Sequence, residues 1–461
     1  MAQVVLFTRD LRVHDHPALS AAVSSGDRVV PLFVLDPRLL GRSPNRDRFL
    51  LESLVDLDRS LQQRGGRLVL RRGDPVAQTL DLAAETPVDA VHVVADVTAF
   101  AAGREGALRT ALAAHGIALH VHGGHFVVEP GDVAPVGKDV YSIFTPYHRA
   151  WARVPIRTPL APPSRVMLPD GLDIGERAAP SAVVADAIDL PRGGETAARR
   201  HLGRYLASDA GRYLEVRNDL GADLTSRLSP YLRFGCLSAI ELASRAAGVG
   251  GGATELVRQL AWRDFYAQLL ASDPSLRWRD VRSPARDVPP APPDASSLLH
   301  RWAEGRTGIP LVDAAMRQLR REGWIHNRAR MVTASFLTRR LGLPWQDGAE
   351  VFMRFLVDGD PASNSGGWQW AAGTGTDPRR SRSFNPVRQA QRFDPAATYI
   401  HRYVHELRDV RAPLVFMPWT MPAVLRETGY PEPVLELPVA ASRPGPSDVM
   451  PARSGQAALP V

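Results

Sequence analysis

Five short apolar runs alternate with helical stretches through residues 1–126, and this alternation constrains the fold more than any other feature. The runs cover 3–7, 29–35, 68–70, 90–95 and 118–121, with helical patterns over 48–64, 76–84 and 103–115. Parallel strands need a helical crossover between them, so the pattern predicts an α/β domain with a parallel five-stranded, Rossmann-like sheet. Each run is apolar nearly throughout, as strands covered on both faces must be. Ligands of such sheets bind beyond the carboxyl ends of the strands. Those ends carry Thr8-Arg9-Asp10, Asp36-Pro37-Arg38 and Asp96-Val97-Thr98. No GxGxxG follows the first run, which argues against a nicotinamide site of the usual kind.

The rhythm stops at residue 127. Residues 127–194 are rich in proline and alanine, with Pro159, Pro162 and Pro163 close together, and read as a connector. Its aromatic cluster, Phe144, Tyr147 and Trp151, packs it onto one domain. From Glu195 the pattern is helical, and residues 195–430 read as an all-α domain. Helices are expected over 255–270, 308–320 and 324–340, and from Asn385-Pro386 to about 410. Residues 431–461, rich in proline and small side chains, read as a flexible tail.

Several functions are excluded. Cys236 is the only cysteine, which rules out an intrachain disulfide and a cysteine-ligated metal or iron–sulfur cluster. The thirteen histidines show no HExxH spacing, so no metal site is expected. No apolar run approaches the ~20 residues that span a bilayer, and charged residues interrupt the first run, so a cytoplasmic protein without a membrane partner is expected. A net charge of +7, carried mostly by arginine, favours a polyanionic partner.

The chemistry-bearing residues concentrate in 358–370, DGDPASNSGGWQW. Asp358, Asp360 and Asn364 suit a ring edge rich in donors. Gly366-Gly367 lets backbone approach a flat ligand, and Trp368 and Trp370 can serve a ligand and the interior. A tight turn followed by a buried aromatic helix explains the same residues. On the 255–270 helix, Gln259, Trp262, Arg263 and Tyr266 share one face, a mixture ill-suited to a core but suited to a stacked, hydrogen-bonding ligand. Asn327, Arg330 and Met331 share another face. Arg330 is a candidate partner for Asp358 or Asp360, because a buried acid beside a ring needs a cation. Residues 225–229 (TSRLS) place three hydroxyls before Pro230, either to hold phosphate or to cap a helix.

Over nearly its full length the sequence resembles the photolyase/cryptochrome family. The motifs that carry the match are FTRDLRVHDHPAL, TSRLSPYLRFG, LAWRDFY, GIPLVDAAMRQLRREGWIHNRARM and DGDPASNSGGWQW, in the family's order. It looks nearest to bacterial photolyases acting on cyclobutane pyrimidine dimers. The resemblance implies an N-terminal antenna domain and a helical domain holding a folded FAD. Tyr213, Thr225, Ser226, Arg227, Leu228 and Ser229 match positions along its phosphates and ribityl chain. Arg263, Asn327, Arg330, Asp358, Gly359, Asp360 and Asn364 match positions around its sugar and ring, with Asn364 facing N5. An amide there accepts from N5–H without adding charge. The implied activity is light-driven DNA repair, in which the reduced flavin lends an electron to a flipped-out dimer that splits into two pyrimidines. Gln259, Trp262, Tyr266, Asn327, Met331 and Trp370 match the substrate pocket. A monomer acting on dimer-containing DNA is expected. Arg9, Asp36 and Asp96 match an antenna pocket nearer the deazaflavin-binding branch than the methenyltetrahydrofolate-binding one.

Two departures stand out. Gln259 replaces the glutamate usual in dimer photolyases; it still donates and accepts hydrogen bonds but supplies no proton. This leaves a (6-4) photolyase or a cryptochrome-like blue-light photoreceptor as alternatives, the (6-4) reading lacking the histidine pair that branch carries where this chain has Ile325-His326-Asn327. The family also reduces its flavin through three tryptophans. Trp368 and Trp345 match the first two, whereas the third position falls near Pro292, leaving Trp278 or Trp302 as substitutes.

Overall fold

The computed structural model describes residues 1–282, 292–377 and 383–435. The five apolar runs form β1 (Ala2–Phe7), β2 (Arg28–Leu35), β3 (Val69–Arg72), β4 (Val88–Val94) and β5 (Ala118–His122). They pair in the order β3-β2-β1-β4-β5, every pairing parallel. The helices between them are α1 (Pro17–Ser25), α2 (Pro44–Gln62), α3 (Pro75–Glu85) and α4 (Ala99–Ala113). The apolar pattern did not reveal α1, whose PALSAAVSS sequence has small residues and no strong stripe. Its start is set by Pro17 and by the His16 ring, which accepts from the Leu19 amide at 3.0 Å. The strand order reverses at β1, so the crevice that suits a ligand opens at the ends of β1 and β4.

The remainder is helical: α5 (Phe144–Trp151) in the connector, then α6 (Glu195–Ser208), α7 (Tyr213–Val216), α8 (Ser229–Arg233), α9 (Ala239–Ala247), α10 (Ala253–Ser272), α11 (Ala295–Ala303), α12 (Pro310–Glu322), α13 (Asn327–Arg339), α14 (Trp345–Phe355), α15 (Pro361–Ala372), α16 (Pro386–Phe393) and α17 (Thr398–Tyr403). The connector's aromatic cluster does pack on one region, the helical one. Phe144 lies flat on Trp262 of α10, and the Trp151 indole donates to Asp264 at 2.9 Å.

Three expectations need correction. The helix expected over 324–340 begins only at Asn327, because the His326 ring caps it by accepting from Arg328 N. The helix expected from 385 to about 410 breaks after Phe393, where Pro395 follows. The Asp394 carboxylate takes the Tyr399 and Ile400 amides and starts the next helix. The stretch read as a tail is held at its start, where Val434 N donates to Thr307 O at 2.8 Å, next to buried Tyr430 of the helical region, which donates to Asp313. Residues 436–461 lie outside the described residues.

The loop after β1 joins the sheet to the helices. Arg12, 1% exposed, donates to the carbonyls of His14, Asp15, Gly124 and Gly235 at 2.8–3.1 Å. Glu195 of α6 takes the Val13 and His14 amides at 2.8 and 3.0 Å. Gly235 makes the approach possible. Its φ is +62°, and a Cβ there would lie 2.1 Å from the Arg9 carbonyl oxygen.

Candidate active site

Residues 358–370 do not form one continuous helix. Asp358 lies in a turn after α14 closed by the Gly359 amide on the Leu356 carbonyl, and Asp360 caps α15, its Oδ1 accepting from Ser363 N at 3.0 Å. Pro361 opens the helix and left-handed Gly373 ends it. This places Asp358 and Asp360 at the positive end of α15.

These residues wall a cavity of about 580 Å³, solvent-open mouth included. Asp358, Gly359, Asp360, Asn364 and Trp368 line it with Ser229, Arg263 and Arg330, so residues far apart in sequence are brought together. Gly367, of the expected glycine pair, lines it too, whereas pattern reasoning missed Arg233, Ser363, Ala334, Phe352 and Leu356. Arg233 was findable, since it lies four residues after Ser229 and therefore on the same helical face.

The wall is strongly charged. Arg330 donates to Asp358 Oδ2 at 2.6 Å, the partner expected of it. Arg9 donates to Asp360 at 3.1 Å and lies 3.6 Å from Asp96. Burial pushes the Asp360 carboxyl up, but Arg9 and Arg233 outweigh it and hold the pKa below the usual value. Burial, with repulsion from Arg9, lowers Arg233 to about 9. Arg233 donates to the Gly359 carbonyl at 2.8 Å, and Arg263 to the His125 carbonyl at 2.6 Å, with Asp264 lying 3.7 Å from the same Arg263 nitrogen. Three lining arginines therefore face two lining carboxylates, a balance suited to an anionic ligand.

The Asn364 amide has a fixed sense. Its Nδ2 donates to the Ala349 carbonyl at 3.0 Å, which leaves Oδ1, an acceptor, for the cavity. Other buried polar atoms have no protein partner: Asp358 Oδ1, Asn327 Oδ1, Thr225 Oγ1, Gln259 Oε1, and the indole nitrogens of Trp262 and Trp368. Buried polar groups are rarely left this way. A flavin nucleotide, with a donor- and acceptor-rich ring edge and phosphates, has the chemistry these residues lack, so they fit the implied cofactor.

The remaining candidates are placed as follows. The 225–229 hydroxyls do not cap α8, whose first turn has no side-chain cap. Ser229 Oγ accepts from the Trp324 indole at 3.2 Å, and the Ser226 carbonyl faces His201. Leu228 and Tyr213 are buried. Arg227 pairs with Asp223 and Glu322 and lies over Trp324. Trp262 is stacked on Phe144 with centroids 3.5 Å apart, whereas the Trp370 indole donates to Asp377 at 3.0 Å. Met331 is buried in the helical core. Of the paired glycines, Gly367 lines the cavity while Gly366 serves the protein: a Cβ there would lie 2.1 Å from the buried Tyr266 ring. Trp302, fully buried, touches Trp368 edge-on at 5.9 Å. The Trp345 indole donates to Asp280 at 2.7 Å, and Trp278 is 58% exposed. Asp36 is held by Arg38 at the end of β2. Among the described residues no His, Cys, Asp and Glu group suits a metal, and no helix is long and apolar enough to cross a membrane.

Comparison with known proteins agrees with this geometry. Residues 3–164 match the family model described as DNA photolyase, and residues 256–444 that of the FAD binding domain of DNA photolyase. The chain is 45% identical to a deoxyribodipyrimidine photo-lyase of Streptomyces griseus over 95% of this chain and 97% of the relative. It is 34% identical to a cryptochrome DASH of Gloeobacter violaceus, covering 94% and 93% of the two chains. A bacterial class III photolyase from Agrobacterium tumefaciens superposes with a TM-score of 0.87 at 30% identity, covering 94% of each chain.

Proposed function

The chain belongs to the DNA photolyase family, and we propose that it is a deoxyribodipyrimidine photo-lyase that uses FAD to split cyclobutane pyrimidine dimers in DNA under light. The observation that carries this reading is the charged cavity in whose wall Asp358 Oδ1 and Trp368 Nε1 are buried without a protein partner. Bound, reduced FAD supplies the electron that the excited state hands to the dimer. The protein's part is to hold and to orient. Arg330 pairs with Asp358 beside the ring position, Arg263 stands with them around the sugar and ring, and Arg233 adds positive charge to the same wall. Asn364 presents Oδ1 to a nitrogen that carries a proton, and residues 225–229 with Tyr213 follow the rest of the cofactor. Asn327 serves both cofactor and substrate.

A dimer inside a duplex is out of reach, and photolyases are an established instance of base flipping. Gln259, Trp262, Tyr266, Met331 and Trp370 are assigned to the pocket that receives it. Trp368 and Trp345 are assigned to the electron route that reduces the flavin. The ends of β1, β2 and β4, with Arg9, Asp36 and Asp96, are assigned to a second, antenna chromophore, a deazaflavin in preference to methenyltetrahydrofolate. The one-chain cavity suits a monomer, and a DNA substrate suits the cytoplasm. Gln259 favours a second reading, a cryptochrome-like photoreceptor or a (6-4) enzyme. Thymine-dimer oligonucleotide with the reduced holoprotein separates them: recovery of thymine absorbance in blue light but not in darkness supports dimer repair. No recovery in light moves the assignment to (6-4) lesions and then to signalling.

A further inference from the structure

α10 carries a buried acid that the flavin and substrate assignments leave unused. Asp264, 1% exposed, directly follows Arg263, and both side chains meet residues 125–128, the strip of chain that leaves the sheet after β5. The Arg263 guanidinium rests on this strip. It donates to the His125 carbonyl at 2.6 Å and lies over the Phe126 ring at 4.8 Å. Asp264 clamps the next two residues, its Oδ2 accepting the Val127 and Val128 amides at 3.1 and 3.2 Å. The same oxygen takes the Trp151 indole of α5 at 2.9 Å. Arg12 and Glu129 hold the near end of the strip, on Gly124 and on the Phe126 amide. Asp264 holds its far end.

The clamp is a costly one. Burial pushes the Asp264 carboxyl up to about 7, against the pull of Arg263, the Trp151 indole and the Val128 amide. Its Oδ1 is buried without a hydrogen-bond partner, 3.7 Å from Arg263. An asparagine would tie the strip without burying a charge, but bonds to a carboxylate are roughly twice as strong. We propose that Asp264 is a positioning residue for the flavin site: by clamping residues 127–128 it fixes the strip on which Arg263 rests, and so holds that guanidinium ready at the cavity wall. The proposal rests on the reading of the cavity as an FAD site, and adds to it a residue outside the lining. A guanidinium already held in place loses less entropy when the ligand arrives.

The test is FAD binding to flavin-free protein by fluorescence titration at pH 8, where the carboxylate is charged. Asp264→Asn keeps an oxygen for the three donors, and Gln268 still ties α10 to the Tyr141 backbone at 3.3 and 2.6 Å, so the connector stays docked. This variant should raise the Kd about fivefold. Asp264→Ser, whose hydroxyl falls short of the strip, should raise it about tenfold. The sign is informative, because removing a negative charge beside an anionic ligand would by itself tighten binding. Trp151→Phe loosens α5 from the same carboxylate but leaves both strip bonds, and should stay within twofold of wild type. In an Arg263→Met background neither Asp264 change should weaken FAD further, because the arginine that Asp264 positions is gone. Unchanged or tighter binding in both Asp264 variants overturns the inference and leaves the flavin site standing. So does an equal loss in Trp151→Phe, or the same fold-loss with and without Arg263. Wild type that takes up no FAD sinks the inference together with the flavin reading.

Discussion

Two buried polar regions, far apart in sequence, meet at Arg9 and differ in one respect. In the loop after β1, Arg12 reaches four carbonyls, Glu195 takes two amides, and Asp15 takes the Leu160 amide and the Ser238 hydroxyl. In the cavity wall, Asp358 Oδ1 and Trp368 Nε1 are buried and meet nothing in the protein, as do oxygens of Asn327, Thr225 and Gln259 outside its lining. Both regions carry the cost of desolvating charge. Arg12, Glu195 and Asp15 recover it within the chain. The contrast separates polar groups that hold the fold from polar groups that wait for a ligand. Arg9 stands at the boundary, one bond to Asp360 of the cavity and one ion contact to Asp96 of the sheet.

The comparison is broken most severely at Arg12. Arg12→Met should strand four buried carbonyls and cost about 4 kcal/mol of stability, read as a fall in Tm, while folded molecules still retain flavin. Arg330→Ala should do the reverse. It leaves the Asp358 carboxylate without its cation and should weaken flavin retention by about 3 kcal/mol, measured by equilibrium dialysis, with a smaller change in Tm.

A third test uses acid. Burial pushes Asp10 up, but His16 and the Thr8 amide outweigh it and hold the carboxyl at about 2 instead of 3.8. A depressed folded-state value means that stability is present above pH 3.8 and lost as pH falls through about 2. The loss should be about 2 kcal/mol, and Asp10→Asn should flatten the wild-type decline between those pH values. The smallest effect sharpens the contrast most. Thr225→Val removes a hydroxyl with no partner, so the flavin-free protein should be no less stable, whereas flavin affinity should fall by about 1 kcal/mol.

Much of this was legible in the sequence, for identifiable reasons. Strands buried on both faces are written as apolar runs, so the sheet was readable, whereas α1 depends on a histidine cap that leaves no periodic trace. The cavity wall was readable where residues cluster, as in 358–370, and the α10 face where helical spacing aligns Gln259 and Trp262. What spacing cannot give is direction. Gly366 and Gly367 read as one ligand-facing pair, yet they face a tyrosine and the cavity respectively. Arg9 read as part of the sheet's own site, yet it reaches 351 residues along the chain to Asp360. The orientation of the Asn364 amide depends on Ala349, and no residue type specifies that.

The most direct test is one calorimetric series. Wild type, Arg12→Met and Arg330→Ala are each unfolded without flavin and with FAD in excess, and the rise in Tm is compared. Ligand that binds only the folded state raises Tm by an amount that grows with the logarithm of its concentration over Kd. The account predicts nearly the same rise in wild type and Arg12→Met, and little or none in Arg330→Ala. Equal rises in all three, or a rise lost in Arg12→Met and kept in Arg330→Ala, would contradict the assignment of the unpartnered wall to the flavin.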